Sequence, residues 1–182
     1  NYDQTQWAHA FGISSLPLRL PPESSEARRL HRWYYGEEAV AIKTAQVVFE
    51  PIRLLMLGLH MAGPNLTPET FEAGMFAYPP SGGTSTGGHV SFGNRGIHVE
   101  TDYQAVDDMV EIWWDAEAEG IDEQGTQGKG MMRFSDNGQR YLPGEMPKEG
   151  PHAFIEENAP AMLDAVPPDG APPSYPSPAG GG

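Results

Sequence analysis

The chain has no cysteine. Disulfides, thiolate nucleophiles and cysteine-ligated zinc sites are therefore all excluded, although the absence does not identify a cellular compartment. Basic side chains are also scarce, with 11 Lys and Arg against 25 Asp and Glu and a net charge of −14. An acidic surface repels phosphates, so nucleic acids and anionic lipid surfaces are poor partners for this protein.

Long apolar runs are missing as well. The longest spans residues 54–59, is flanked by Arg53 and His60, and is far shorter than the roughly 20 residues of a membrane helix. We therefore expect no direct membrane insertion. Gly and Pro are abundant, at 22 and 18 of 182 positions, and this predicts that much of the chain is loop or tail.

Catalytic and metal-binding motifs are absent from the sequence. The six histidines show no His-x-x-x-His spacing, and His89 stands where a Gly-x-Ser-x-Gly motif around Ser91 would need its first glycine. His89 and His98 could meet across a bent loop with Glu100 or Asp102, but surface histidines are the ordinary explanation of such a pattern. The sequence thus predicts no metal, no cofactor and no enzymatic activity. An enzyme of unrecognised type stays open as a further hypothesis, behind the two binding functions described below.

Residues 115–120 imitate the start of a calcium-binding loop, with carboxylates at alternate positions and Gly120 in sixth place. The pattern then fails, because Asp122 replaces the apolar eighth residue and Thr126 replaces the glutamate that closes such a site. We interpret this segment as a solvated acidic turn.

The most informative stretch covers residues 44–76. Apolar side chains at three- and four-residue spacing predict a long, mostly buried helix, with a kink or a restart at Pro51. Gly63 then ends it. Thr67 caps a second helix, with Pro68 in its first turn and without a complete capping box.

The remaining pattern predicts shorter elements. A strand is expected at 13–20, a helix at 23–35 with Ser24 or Ser25 as its cap, and a flexible glycine-rich connection at 79–96. A strand is expected at 106–115, and two further strands, 131–134 and 139–142, form a hairpin around Asp136-Asn137-Gly138. Residues 149–182 are interpreted as a mostly disordered tail, with one weak helix at 153–166 and a Pro/Gly-rich end.

The order of several features is informative. The long helix carries Phe49-Glu50 and ends at Ala62-Gly63, residues 66–69 start the next helix, and residues 6–13 and 30–36 lie upstream. These features resemble the closing portion of type 1 periplasmic-binding proteins, the branched-chain amino acid receptors of ABC transporters. The resemblance covers about residues 1–115 and depends on the order of elements more than on identity. It departs from the family pattern at Phe49, where tyrosine is commoner, and at Pro51.

The resemblance implies an α/β fold, specifically the C-terminal part of a two-lobed, three-layer αβα protein of the type 1 periplasmic-binding fold. Residues 1–148 would belong to the solute-binding domain, and the first lobe has no counterpart in this chain, which we therefore interpret as a fragment. A first lobe would cover apolar surface that a fragment exposes.

The resemblance also implies a function. Such a protein binds a small polar or amino-acid-like molecule between its lobes and presents it to ABC transporter permease subunits at the cell envelope. It places the ligand contacts of this chain at Lys43, Thr44, Gln46 and Phe49. The alternative is an envelope interaction or scaffold domain of the same fold that binds no solute.

Overall fold

The computed structural model describes residues 3–21, 24–38, 42–121 and 126–168, and for residues 42–46 it describes the backbone alone. These ranges form a mixed structure with four α-helices and one open antiparallel sheet, which confirms only the coarse expectation that the chain combines helices with a sheet. In chain order the elements are α1 (Gln4–Trp7), β1 (Phe11–Ser14), α2 (Glu26–Tyr35), α3 (Ile42–Ala62), α4 (Pro68–Ala77), β2 (Met109–Ile121), β3 (Gln127–Phe134) and β4 (Arg140–Tyr141).

Strand β2 is the centre of the sheet. It pairs with β1, with Phe11 opposite Trp113, and with β3, with Phe134 opposite Ile112. Strand β4 also pairs with β2, and all three pairings are antiparallel. The predicted strand at 106–115 therefore exists, but it starts at Met109 and continues to Ile121.

The predicted hairpin around Asp136-Asn137-Gly138 is wrong. Both β3 and β4 pair antiparallel with β2, so the chain keeps its direction through the turn Ser135–Gly138, and β4 does not fold back on β3 as a hairpin would require. The expected backbone is present, because Asp136 and Asn137 have φ angles of 51° and 56°. The Asn-Gly signal thus identifies the positive φ angles, while the partner of the following strand is set by the free edge of β2.

Helix α4 has a complete capping box, which the sequence analysis did not expect. The Thr67 hydroxyl accepts from the Thr70 amide at 3.2 Å, and the Thr70 hydroxyl accepts from the Thr67 amide at 2.9 Å. The prediction was wrong because a threonine here does what glutamate or glutamine usually does at this position. Upstream, Ser25 caps α2, as expected.

Helix α3 continues through Pro51 without restarting, and it contacts α4 along one side. The two helices approach closely at Gly58, where a Cβ atom would lie 2.3 Å from the Phe71 ring. The prediction that α3 is mostly buried is wrong. Five of its apolar side chains, together called the outer face of α3, are 50–67 % exposed: Val47, Val48, Ile52, Leu55 and Met56.

The core of the described residues consists of three small clusters. Leu18 packs with Val110 of β2 and Phe134 of β3, and Trp113 packs with Ala153 and Ala159. The third cluster joins α3 and α4 to the segment that follows them, through Met75, Phe92 and Ala105 with the half-buried Leu54, Phe71, Phe76 and Val90.

The packed structure extends beyond the predicted boundary at residue 148. Ala153, Ala159 and Ala161 are buried, and the Leu163 amide donates to the Arg19 carbonyl at 2.9 Å. This segment has no α-helix between residues 153 and 166, where one weak helix was predicted. Small side chains let the irregular backbone lie directly on the sheet. The Pro/Gly-rich residues 169–182 lie outside the described residues.

Candidate functional site

The glycine-rich segment after α4 is held by short antiparallel bridges. Val90 pairs with both Ser81 and Val106, and Gly93 pairs with Asp102. The sequence predicts a flexible connection here, but the bridges lay residues 89–93 beside residues 102–107. Side chains that are far apart in the sequence therefore meet at the start of β2.

These bridges bring together a group of side chains that we call the carboxylate–imidazole cluster. Its members are His89, Ser91, His98, Asp102 and Asp107. Asp107 is its centre and its side chain is fully buried. The Ser91 hydroxyl donates to Asp107 Oδ2 at 2.7 Å, and His89 Nδ1 lies 2.7 Å from the same oxygen. His98 Nε2 lies 3.2 Å from the other oxygen, Oδ1.

Asp102 completes the cluster from the facing bridge. Its Oδ1 accepts from the Gln104 amide at 2.8 Å. Its Oδ2 is buried and has no hydrogen-bond partner. One ligand atom each from His98, Asp102 and Asp107 lies within 4.8 Å of the other two, so these three residues could hold a metal ion.

A second buried carboxylate, Asp108, holds the backbone of His89 in place beside the cluster. Asp108 Oδ1 accepts from Arg140 Nη2 at 2.8 Å and from the His89 amide at 2.9 Å. Arg140 also donates to the carbonyls of Ser15 and Leu16, at 2.9 and 3.2 Å. The guanidinium thus ties β4 and the end of β1 to the backbone that carries His89.

The cluster forms part of the wall of an open cavity of about 490 Å³, a volume within the usual range for small-molecule sites. Tyr103 and Tyr141 also line it. A hydrogen bond to Glu72 raises the pKa of Tyr103, and burial raises the pKa of Tyr141, with a further contribution from Asp136. Both phenols therefore remain protonated donors at neutral pH.

The cavity combines hydrogen-bond donors, carboxylate acceptors and apolar surface. This composition suits a small polar molecule. A hydrolytic centre is less well supported, because Ser91 is only 1 % exposed and is not among the described residues that line the cavity, so its hydroxyl is not presented to a substrate there.

The ligand contacts implied by the resemblance lie elsewhere, in the first half of α3. Phe49 is half-buried there. The backbone of Lys43, Thr44 and Gln46 is helical, and their side chains lie outside the described part of the structure. Phe49 is not among the described residues that line the cavity.

The acidic segment 115–120, which resembles the start of a calcium-binding loop in sequence, does not form a loop. Residues 115–121 continue strand β2, with a register irregularity between Asp115 and Glu119, so the predicted acidic turn is wrong. Asp115 is engaged internally: Oδ1 accepts from the Glu117 and Ala118 amides, and Oδ2 accepts from Arg133 at 2.9 Å. Asp122 lies outside the described residues.

Sequence reasoning considered part of the cluster but did not predict it. It noted that His89 and His98 could meet with Glu100 or Asp102, all but His89 of which line the cavity, and it preferred surface histidines as the explanation. It missed Asp107, which it treated as one alternating position of a strand. The usable signal was a pair of adjacent aspartates just before an apolar run, since an acidic pair beside a buried strand requires partners.

Among the described residues, no helix has the length and apolarity needed to cross a bilayer. No protein-family model, curated protein or solved structure matches the chain.

Proposed function

We propose that this chain forms part of a solute-binding receptor of an ABC importer, similar to the closing portion of a type 1 periplasmic-binding protein. In this proposal the chain supplies one side of a cleft that closes on a small polar or amino-acid-like molecule. It works at the cell envelope with permease subunits and is not an enzyme.

The observation that carries the proposal is the uncovered outer face of α3. Its five apolar side chains are each at least half exposed, although single exposed apolar residues are the norm on a soluble surface. Such a stripe favours burial against a second body. The contacts implied by the resemblance, Lys43, Thr44, Gln46 and Phe49, are on the same helix, so a ligand held there would lie near the junction of two lobes.

The order of elements also supports the proposal. A long helix ends at Ala62, a capped helix begins at Pro68, and antiparallel strands follow. A ligand that contacts both lobes only in the closed state shifts the equilibrium between open and closed forms by its differential affinity. The finer assignment to a three-layer αβα fold rests on the resemblance alone, since such folds have mostly parallel sheets and the described sheet is antiparallel throughout.

The test is a thermal-shift screen of the natural full-length protein against amino acids, amides, ureas and small aromatic acids. One solute class should raise the melting midpoint, since a ligand at 100 times its dissociation constant adds about 2.7 kcal/mol of stability. Phe49→Ala should weaken that solute at least tenfold. The matched control is Phe154→Ala, the same truncation on the C-terminal segment, which should leave the affinity unchanged.

The alternative is an envelope interaction or scaffold domain of the same fold that binds no solute, in which the outer face of α3 would contact a partner protein instead of a second lobe. A folded protein whose midpoint responds to no solute would overturn the receptor proposal and favour the scaffold.

A further inference from the structure

We infer that the carboxylate–imidazole cluster is a binding site for one divalent transition-metal ion, best suited to Zn²⁺, held by His98 Nε2, Asp107 Oδ1 and Asp102 Oδ2. The inference is independent of the solute-binding proposal, because the ligands lie on the segment 98–107 and not on α3.

The donor set fits this class of ion. One imidazole nitrogen with two carboxylate oxygens suits zinc, which accepts nitrogen and oxygen ligands, while calcium and magnesium take oxygen ligands only. Three protein ligands leave the fourth position of a tetrahedral ion open, and here that position can face the cavity.

The spacing is close to what zinc requires. Bonds of about 2.0–2.1 Å place neighbouring ligand atoms of a tetrahedral ion about 3.3 Å apart. His98 Nε2 and Asp107 Oδ1 are already 3.2 Å apart. The outermost pair of ligand atoms lies within 4.8 Å, so closing the site moves them together by at most about 1.5 Å. The His98 side chain is 38 % exposed and can make that movement.

Asp102 provides the independent observation that points to a ligand. It is 9 % exposed, and its Oδ2 is buried without a hydrogen-bond partner. A buried carboxylate oxygen without a partner is costly, and a cation beside it removes that cost. Because Oδ1 is occupied by the Gln104 amide, Oδ2 is the oxygen available to an ion.

The charge balance leads to the same conclusion. Two adjacent buried carboxylates, Asp107 and Asp108, immediately precede β2, and of these two Asp108 is the one paired with a guanidinium. Asp107 has no arginine or lysine partner among the described residues, and its side-chain contacts are Ser91, His89 and His98. A divalent ion at Asp107 and Asp102 supplies the missing positive charge.

The surroundings of Asp107 are those of a prepared ligand. Ser91 and His89 both bond its Oδ2, which fixes the carboxylate and directs Oδ1 toward His98 and the cavity side. Hydrogen bonds of this kind orient ligating carboxylates, and their loss typically weakens metal binding 10–100-fold.

The experiment is a calorimetric titration of the untagged chain with Zn²⁺, after treatment with a chelator and its removal. The expected result is one saturable site per chain, unaffected by excess Mg²⁺ or Ca²⁺. Co²⁺ in the same site should give the intense visible absorption of a tetrahedral complex. His98→Ala should weaken Zn²⁺ at least 100-fold, and His89→Ala should weaken it 10–100-fold.

The matched control is His60→Ala, which removes an exposed imidazole at the end of α3 and should leave Zn²⁺ affinity unchanged. Asp102→Asn is the second ligand variant; it keeps the side-chain shape and removes the charge, so it tests the site even if His98→Ala does not fold. A wild-type protein with no one-to-one Zn²⁺ binding overturns the inference. Equal affinities of the His98→Ala, Asp102→Asn and His60→Ala proteins would overturn it too.

Discussion

Arg140 and Asp108 form a nearly inaccessible ion pair, with Nη2 and Oδ1 2.8 Å apart and side chains 1 % and 3 % exposed. The pair lies where β4 meets the start of β2, and the same guanidinium bonds the carbonyls of Ser15 and Leu16. Breaking a buried pair by removing one partner leaves the other charge without compensation.

We therefore expect Arg140→Met to lower the free energy of unfolding by about 3–5 kcal/mol, measured by urea denaturation. Adding Asp108→Asn to this variant should restore part of the loss, because it removes the unpaired charge. The same substitution at Arg32, which pairs with Glu38 on the surface of α2, should cost less than about 1 kcal/mol. Equal losses at Arg140 and Arg32 would contradict the structural role of the buried pair.

Gly82 and Gly83 offer a matched pair in the segment that carries His89. Both have a φ of +79°, so alanine at either position should cost about 1–2 kcal/mol for the left-handed backbone. A Cβ on Gly82 would lie 2.0 Å from the Gly88 carbonyl oxygen, whereas a Cβ on Gly83 has its nearest neighbour at 3.6 Å. Gly82→Ala should thus lower the urea midpoint more than Gly83→Ala. If the two variants unfold at the same urea concentration, the close approach to Gly88 has no energetic role.

The cap residue of α4, Thr67, allows the stabilising effect of its hydroxyl group to be measured separately from that of its methyl group. Thr67→Ala loses the acceptor for the Thr70 amide and should cost about 1 kcal/mol of unfolding free energy. Thr67→Ser keeps the oxygen and should stay close to the parent in the same urea titration. A serine variant as unstable as the alanine variant would show that the hydrogen bond is not the source of the stabilisation.

His152 and Asp136 give the protein a pH-dependent contact, with Nδ1 and Oδ2 2.5 Å apart. The hydrogen bond to Asp136 raises the pKa of His152, and the charges of Asp136, Glu111 and Glu149 add to the effect. Because the folded pKa lies above the unfolded value, the stabilisation is fully present below the unfolded pKa. It is lost as the pH rises through the raised folded pKa.

The difference in unfolding free energy between the parent and His152→Gln should therefore be largest at acid pH and should shrink as the pH rises between about pH 5 and pH 9. Urea denaturation at several pH values measures it, with His9→Gln as a control for the loss of an exposed imidazole. A difference that does not change with pH would show that His152 stabilises the fold without its charge.

Local structure was largely predictable from the sequence, because it depends on neighbours within one or two turns of chain. Thr67 and Pro68 start α4 and Ser25 caps α2, since their hydrogen bonds and fixed φ angles act within a few residues. Gly138, with Asp136 and Asn137, marks the positive φ angles of the turn between β3 and β4. The acidic composition likewise limits the choice of partners without reference to the fold.

Tertiary structure alone decided where these elements go. The turn at Asp136 gives no information on whether β4 pairs with β3 or with β2, because pairing is fixed by the free edge of the strand next to it. The apolar spacing of α3 predicts that one face of the helix is buried. Whether its side chains are in fact exposed depends on which other elements or proteins pack against that face. The carboxylate–imidazole cluster exists only because bridges across residues 81–106 bring His89, His98 and Asp107 together. Sequence spacing can indicate that a buried acidic residue needs partners, but it does not identify which side chains meet it across such distances.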